Sequence, residues 1–196
     1  MIWWHAALIF VAGIGAGTIN TVVGSGTLIT FPTLVALGVP PVTANVSNTV
    51  GVFPGSLVGA WGYRRELSGQ GHRAARLSAA SITGAIVGAI LLLTLPASAF
   101  DAIVPVLIIL AILLVIFGKR LTALLSRTGH QPRGNVTPLL WVLTFGTGIY
   151  GGYFGAAQGV LLMGLFGLML AEPIQRQNGL KNLLAGMVNL VAAIVF

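Results

Sequence analysis

The first 63 residues alternate apolar runs with short breaks and hold no charged side chain before Arg64. One membrane span needs roughly 20 residues, so this stretch predicts more than one element. Its natural divisions are Gly24–Gly26 and Pro40–Pro41, because glycine and proline punctuate helices. They predict a helix over about residues 2–23, with Trp3 and Trp4 as interface anchors. A short apolar segment follows over 27–37, then a third helix over about 46–63. At about 1.5 Å per residue the middle segment crosses only about half the hydrocarbon.

The apolar pattern then stops at "YRRELSGQGHRAAR", which carries Arg64, Arg65, Arg73 and Arg76. Residues 77–95 and 102–118 read as two full spans joined by the tight turn "PASAFD", whose only charge is Asp101. A second basic stretch, "GKRLTALLSRTGHQPRGNVTP", holds Lys119, Arg120, Arg127 and Arg133. Eight of the ten basic residues therefore lie at the two ends of one helical hairpin. Those ends must share a side, and the positive-inside rule makes loops 63–76 and 119–137 cytoplasmic, with Asp101 outside. After Pro138 the chain is apolar and uncharged to Ala171, and its last charges are Glu172, Arg176 and Lys181. It ends on "GMVNLVAAIVF" without a polar tail, so a truncated form of a longer protein is expected.

Composition sharpens this picture. The chain is 56% hydrophobic and 7% charged, against roughly a quarter charged in ordinary globular domains. Thirteen charged side chains cannot cover a soluble protein of this length, so a lipid bilayer is the expected solvent. The net charge of +7 comes from two loop clusters, and no nucleic-acid partner is expected. Cysteine is absent, which excludes disulfides and thiolate metal sites. His5, His72 and His130 stand far apart, so neither a metal nor another cofactor is expected. The N-terminus lacks the basic n-region of a cleavable signal peptide.

Residues 13–60 can be laid on residues 146–193. "GAGTINTVVGSG" matches "GTGIYGGYFGAA", with Gly15, Gly17 and Gly24 on Gly146, Gly148 and Gly155. After a small shift Pro40 falls on Pro173 and Asn45 on Asn178. The expected fold is therefore an all-α polytopic membrane protein of two repeated halves with broken helices, arranged as inverted repeats. Residues 1–118 make the first half, 119–137 a basic cytoplasmic linker, and 138–196 a second, incomplete half. Paired interruptions of this kind point to a transporter's binding site. Unpaired backbone in hydrocarbon costs several kcal/mol per group, so breaks occur only beside protein or a water-filled cavity. Each break also creates a helix N-terminus, whose free N–H groups suit an anion.

The stretch "AGTINTVVGSGTLITFPTLVALGVPPVTANVSNTVGVFPGSLVGAWGYRREL" closely resembles the first signature region of the TauE/SafE (sulfite exporter) family of permeases. Gly24, Gly26, Pro32, Leu34, Gly38, Pro41, Ala44, Asn45, Ser47, Asn48, Pro54, Gly55 and Tyr63 carry the match. "GIYGGYFGAAQGVLLMGLFGL" resembles the second signature, with Ala156, Ala157 and Gln158 where a plainer glycine run is common. The resemblance implies movement of small sulfur-containing or organic anions, such as sulfite, sulfonates or sulfoacetate, across a bacterial inner membrane.

The candidate substrate-binding residues are Gly24, Ser25, Gly26, Thr27, Asn45 and Asn48 in the first half, with Gln158, Asn178 and Arg176 in the second. Asn45 and Asn48 can donate amide N–H groups to an oxyanion or pin helices together, and both are expected to face the first break. Asn20 favours the pinning role. Ser25 and Thr27 are placed to cap the following half-helix. Gly24 and Gly26 fit positive φ or close backbone approach. Asn182 and Asn189 are further second-half counterparts. Arg176 and Lys181 read as interfacial loop charges, with Glu172 as a partner, and no basic residue falls in the first break. A channel-like or structural bundle is the main rival to a transporter, and a homodimer is compatible with the sequence. A serine hydrolase built on Ser25 lacks a nearby base, so no catalytic residue is assigned. "GIGAG" lacks the strand and acidic residue of a dinucleotide fingerprint.

Overall fold

A computed structural model describes residues 3–126 and 136–196, side chains at 118, 119 and 121–126 excepted. The described residues form helices and no strand. Helix α1 (Trp3–Val22) ends where the N–H groups of Val23 and Gly24 both close on the Ile19 carbonyl. Gly24 then takes φ +84, a left-handed value that glycine alone adopts without strain. The chain reverses into α2 (Thr27–Ala36), which runs back along α1. The reversal needs glycine again: a Cβ on Gly26 would lie 2.3 Å from the Ala16 carbonyl oxygen.

Helix α3 (Pro41–Gly62) begins five residues earlier than expected. Pro41 occupies its first turn, where the missing N–H leaves no bond unmade. The basic loop predicted over 63–76 is mostly helical. The single turn α4 (Arg64–Leu67) and the start of α5 (Gly71–Thr94) fill it. Helix α6 (Ala97–Ser126) likewise extends both ends of the span predicted over 102–118. Arg127, His130 and Arg133 lie outside the described residues. The remaining helices are α7 (Pro138–Tyr153), α8 (Gln158–Met169) and α9 (Ile174–Val195).

Among the described residues, four helices are long and apolar enough to cross a membrane: α1, α5, residues 97–117 of α6, and α9. Helix α3 matches them in length, at 22 residues, but carries Asn45, Asn48, Thr49 and Ser56 buried toward the bundle. Helices α2 and α8, at 10 and 12 residues, reach only roughly 15–18 Å, too short for a hydrocarbon core of about 30 Å. The chain is thus an all-α polytopic membrane protein.

Two apolar clusters locate the short helices. Phe31 of α2 packs with Leu92, Phe100 and Val104 at the α5–α6 turn. Leu162, Phe166 and Leu170, from α8 and just beyond it, pack with Leu77, Leu140 and Leu180, near the starts of α5, α7 and α9. So α2 returns toward one end of the bundle and α8 toward the other. Helices α5 and α7 pack backbone to backbone. A Cβ on Gly84 or Gly88 would lie 2.2 or 2.1 Å from an α7 carbonyl oxygen, and one on Gly148 or Gly152 would lie 2.5 or 2.2 Å from an α5 carbonyl oxygen. Such small-residue contacts drive helix association where lipid removes the hydrophobic force.

Candidate functional site

The two breaks meet. Gly24 touches the first turn of α8, where a Cβ on Gly24 would lie 2.4 Å from the Gly159 Cα. The Gly159 N–H donates to the Gly24 carbonyl at 3.1 Å. The N-terminal ends of α2 and α8 are thereby brought to one place inside the bundle. Each break turns on a left-handed glycine, Gly24 at φ +84 and Gly155 at φ +75.

A break leaves orphan carbonyls on the helix that stops and orphan N–H groups on the helix that starts. The carbonyl ends are met by protein. At α1 the Lys181 ammonium donates to the carbonyls of Thr21 at 2.8 Å and Asn20 at 3.4 Å. The Asn182 amide adds a bond to Thr21 at 3.2 Å. At α7 the Asn45 amide donates to the Tyr153 carbonyl at 3.0 Å, and the Tyr150 hydroxyl donates to the Ala156 carbonyl. The amide ends are treated differently. Among the described residues no acceptor meets the N–H groups of Ser25, Gly26 and Thr27, or those of Ala156 and Ala157. The balance of dipoles at the crossing is therefore positive, because its negative ends are capped and its positive ends are open.

Asn48 organises the first break. Its Nδ2 donates to the Thr27 hydroxyl at 3.0 Å, and its Oδ1 accepts from the Thr30 hydroxyl. Asn48 also lines a cleft of about 190 Å³ between α1, α2 and α3, with Gly13, Gly17, Thr30, Thr33 and Ser47 on its walls. Ser25 is buried beside the turn. Neither Ser25 nor Thr27 caps α2 through its side chain. The expected capping fails because Gly26, which has no side chain, occupies the N-cap position, and Asn48 engages the Thr27 hydroxyl.

Three other expectations change. Asn45 lies in α3 one turn from Asn48, but faces the second break, where its Oδ1 is buried without a partner among the described residues. Lys181 is no loop charge. It is fully buried and supplies the basic group that the sequence did not place at the first break. Gln158 opens α8 but folds onto its own half, donating to the Thr147 carbonyl at 3.3 Å and packing on Gly151. Arg176 sits on the first turn of α9, paired with Glu172 at 2.8 Å and donating to the Ser68 carbonyl at 3.3 Å. It thus ties α9 to the α4–α5 connection. Glu172 also binds Arg73 at 2.7 Å, and that hydrogen bond is the largest of the effects that hold its carboxyl below the usual range. Asn178 is half-buried, with an enclosed Oδ1 that has no partner among the described residues. Asn20 pins α1 to α3, donating to the Ser56 hydroxyl at 2.9 Å.

Interrupted helices that meet inside a polytopic bundle are the architecture of membrane transporters. The chain belongs to the sulfite exporter TauE/SafE family, whose model matches residues 9–196. It is 32% identical over 161 residues to the "Probable membrane transporter protein ORF9" of Sinorhizobium sp, covering 80% of this chain and 59% of that relative. The chain thus spans about 59% of the relative's length. No solved structure matches it.

Proposed function

We propose that the protein moves small sulfur-containing or organic anions, such as sulfite, sulfonates or sulfoacetate, across a bacterial inner membrane. The substrate is held where the two breaks cross. One observation carries this reading. The carbonyl ends at the crossing are capped by Lys181, Asn182 and Asn45, while the N–H groups of Ser25, Gly26 and Thr27 are open. Such a site attracts negative charge and repels cations. Asn48 adds an amide beside it and also lines the small cleft between α1, α2 and α3.

The two halves are a duplicated, inverted pair in this reading. The hairpin α1–α2 enters from the end that holds the α5–α6 turn, and α7–α8 enters from the end that holds the basic segments. With those segments cytoplasmic, the N-terminus lies outside. Alternating access would then be a rocking of one half against the other about the Gly24–Gly159 crossing.

The test is influx of radiolabelled sulfite or sulfoacetate into proteoliposomes. Saturable influx with counterflow is expected, lost in the double variant Asn45→Ala/Asn48→Ala. Unchanged influx in a well-folded double variant sinks the site assignment. Unsaturable influx in the unmodified protein would establish the channel-like alternative.

A further inference from the structure

Lys181 is fully buried in α9, a helix long and apolar enough to span the membrane. Among the described residues no carboxylate lies in ion-pair range of it, and the half-buried Glu172 is taken by Arg73 and Arg176. Its ammonium instead touches two carbonyls at the C-terminal end of α1. A helix end offers only about half a negative charge, so roughly half of the ammonium's charge is left uncompensated. An ionised side chain in a membrane bundle is costly and marks function by default.

The second break provides an internal control. There a neutral amide, Asn45, bonds the α7 carbonyl end at 3.0 Å. At the first break Asn182 already does the same for Thr21 at 3.2 Å. Capping a carbonyl end therefore does not require a charge. Lysine also has three N–H donors, of which two are engaged here.

We propose that Lys181 is the charge-selecting residue of the site, whose positive charge a bound sulfonate or carboxylate monoanion neutralises. This rests on the anion-transport reading above. The substrate-free arrangement holds the ammonium on α1. The anion, arriving at the open N–H groups of Ser25–Thr27, completes the countercharge and takes the third donor. Selection is then for charge, and a neutral molecule of the same shape is refused.

The test uses the full chain in proteoliposomes with labelled methanesulfonate, an anion at every working pH. Lys181→Gln keeps an N–H donor for α1 but removes the charge, and its KM is expected to rise at least about tenfold. Lys181→Arg is expected to keep KM within about threefold, since it retains the charge. Lys181→His makes the charge switchable in one folded preparation. Its KM should fall from pH 8 to pH 5.5 by about tenfold more than that of the unmodified protein, as imidazole titrates near 6.5. Around Lys181, α3 carries no charged side chain and α1 holds only His5 at its far end, while α4 carries Arg64, Arg65 and Glu66 and α5 carries His72, Arg73 and Arg76, with Arg73 held by Glu172. The unmodified protein carries the same groups and sets the baseline. The proposal is overturned if Lys181→Gln keeps the original KM, or if folded Lys181→His shows no more pH dependence of KM than the unmodified protein. Either result leaves the transport reading standing. Absence of saturable influx in the unmodified protein defeats both.

Discussion

The first and second breaks turn on the same left-handed glycine and finish differently. At the first, glycines stand at 24 and 26, the carbonyl end is held by a lysine from the far half, and a cleft opens alongside. At the second, Ala156 and Ala157 replace the small turn residues, and Ala157 is itself left-handed at φ 58. Phe31, Phe100 and Phe154 close over it edge to face. Its polar groups fold inward, with Gln158 on Thr147 and Tyr150 on Ala156. A left-handed alanine costs about 1–2 kcal/mol, which the surrounding aromatic packing offsets. The contrast assigns the two breaks different work. In the transport reading proposed above, the second is a packed pivot and the first the charged face of the crossing.

Substitutions can break this contrast, and the largest effect falls at the crossing itself. Gly24→Ala meets both a φ of +84 and a Cβ 2.4 Å from the Gly159 backbone. A loss of at least about 3 kcal/mol is expected, read as loss of the monodisperse peak on size exclusion in detergent. Gly155→Ala meets a similar φ of +75, but its nearest atom, the Gly151 carbonyl oxygen, is 3.0 Å away. Its cost should stay nearer 1–2 kcal/mol. Equal damage at both glycines would erase the distinction.

The paired asparagines come next. Asn45→Ala leaves the buried Tyr153 carbonyl without its donor and should remove about 1–3 kcal/mol, seen as a lower Tm with little change in KM. Asn48→Ala should do the reverse, since Asn48 lines the cleft and organises the hydroxyls of Thr27 and Thr30. A matching pair of Tm and KM changes would place both residues in one role.

A smaller effect tests the ties outside both breaks. The Arg73 hydrogen bond pulls the Glu172 carboxyl down, partial burial opposes it, and the charges of Arg73 and Arg176 pull it down further. A lowered folded-state value means the ionised carboxylate stabilises the fold above the ordinary glutamate value of about 4.3. That contribution is lost as pH falls through the lowered value. Glu172→Gln should lower Tm at neutral pH by an amount equivalent to about 1 kcal/mol and flatten the acid limb. Smallest of all, Gly17→Ala points into open space and should change stability by less than about 0.5 kcal/mol.

Much of this architecture was legible because glycine and proline act locally. The division at Gly24–Gly26 and the start of α2 at Thr27 follow from turn chemistry alone. Pro41 hides the start of α3, because a proline fits a helix's first turn as well as a turn outside it. Basic loops turned out helical because arginine and lysine are good helix formers, and charge marks the membrane side without marking where a helix ends. The cross-chain pairings could not be read. Asn45 and Asn48 are neighbours in sequence, yet one serves each break, through partners 108 and 21 residues away. Lys181 reaches 160 residues back to Thr21. A buried lysine and a loop lysine look alike in one sequence, although the sequence overlay offers a hint: the offset that lays Asn45 on Asn178 lays Asn48 on Lys181. The spacing of Gly84 with Gly88 and Gly148 with Gly152 is a small-xxx-small signal that the sequence reading did not single out.

The most direct measurement is the anomalous density of selenite, the heavier analogue of sulfite, in crystals of the protein. The account predicts one strong peak beside the first break, within hydrogen-bond distance of the Ser25–Thr27 N–H groups and the Asn48 amide. A peak confined to the arginines of residues 64–76, with none at the crossing, would contradict it.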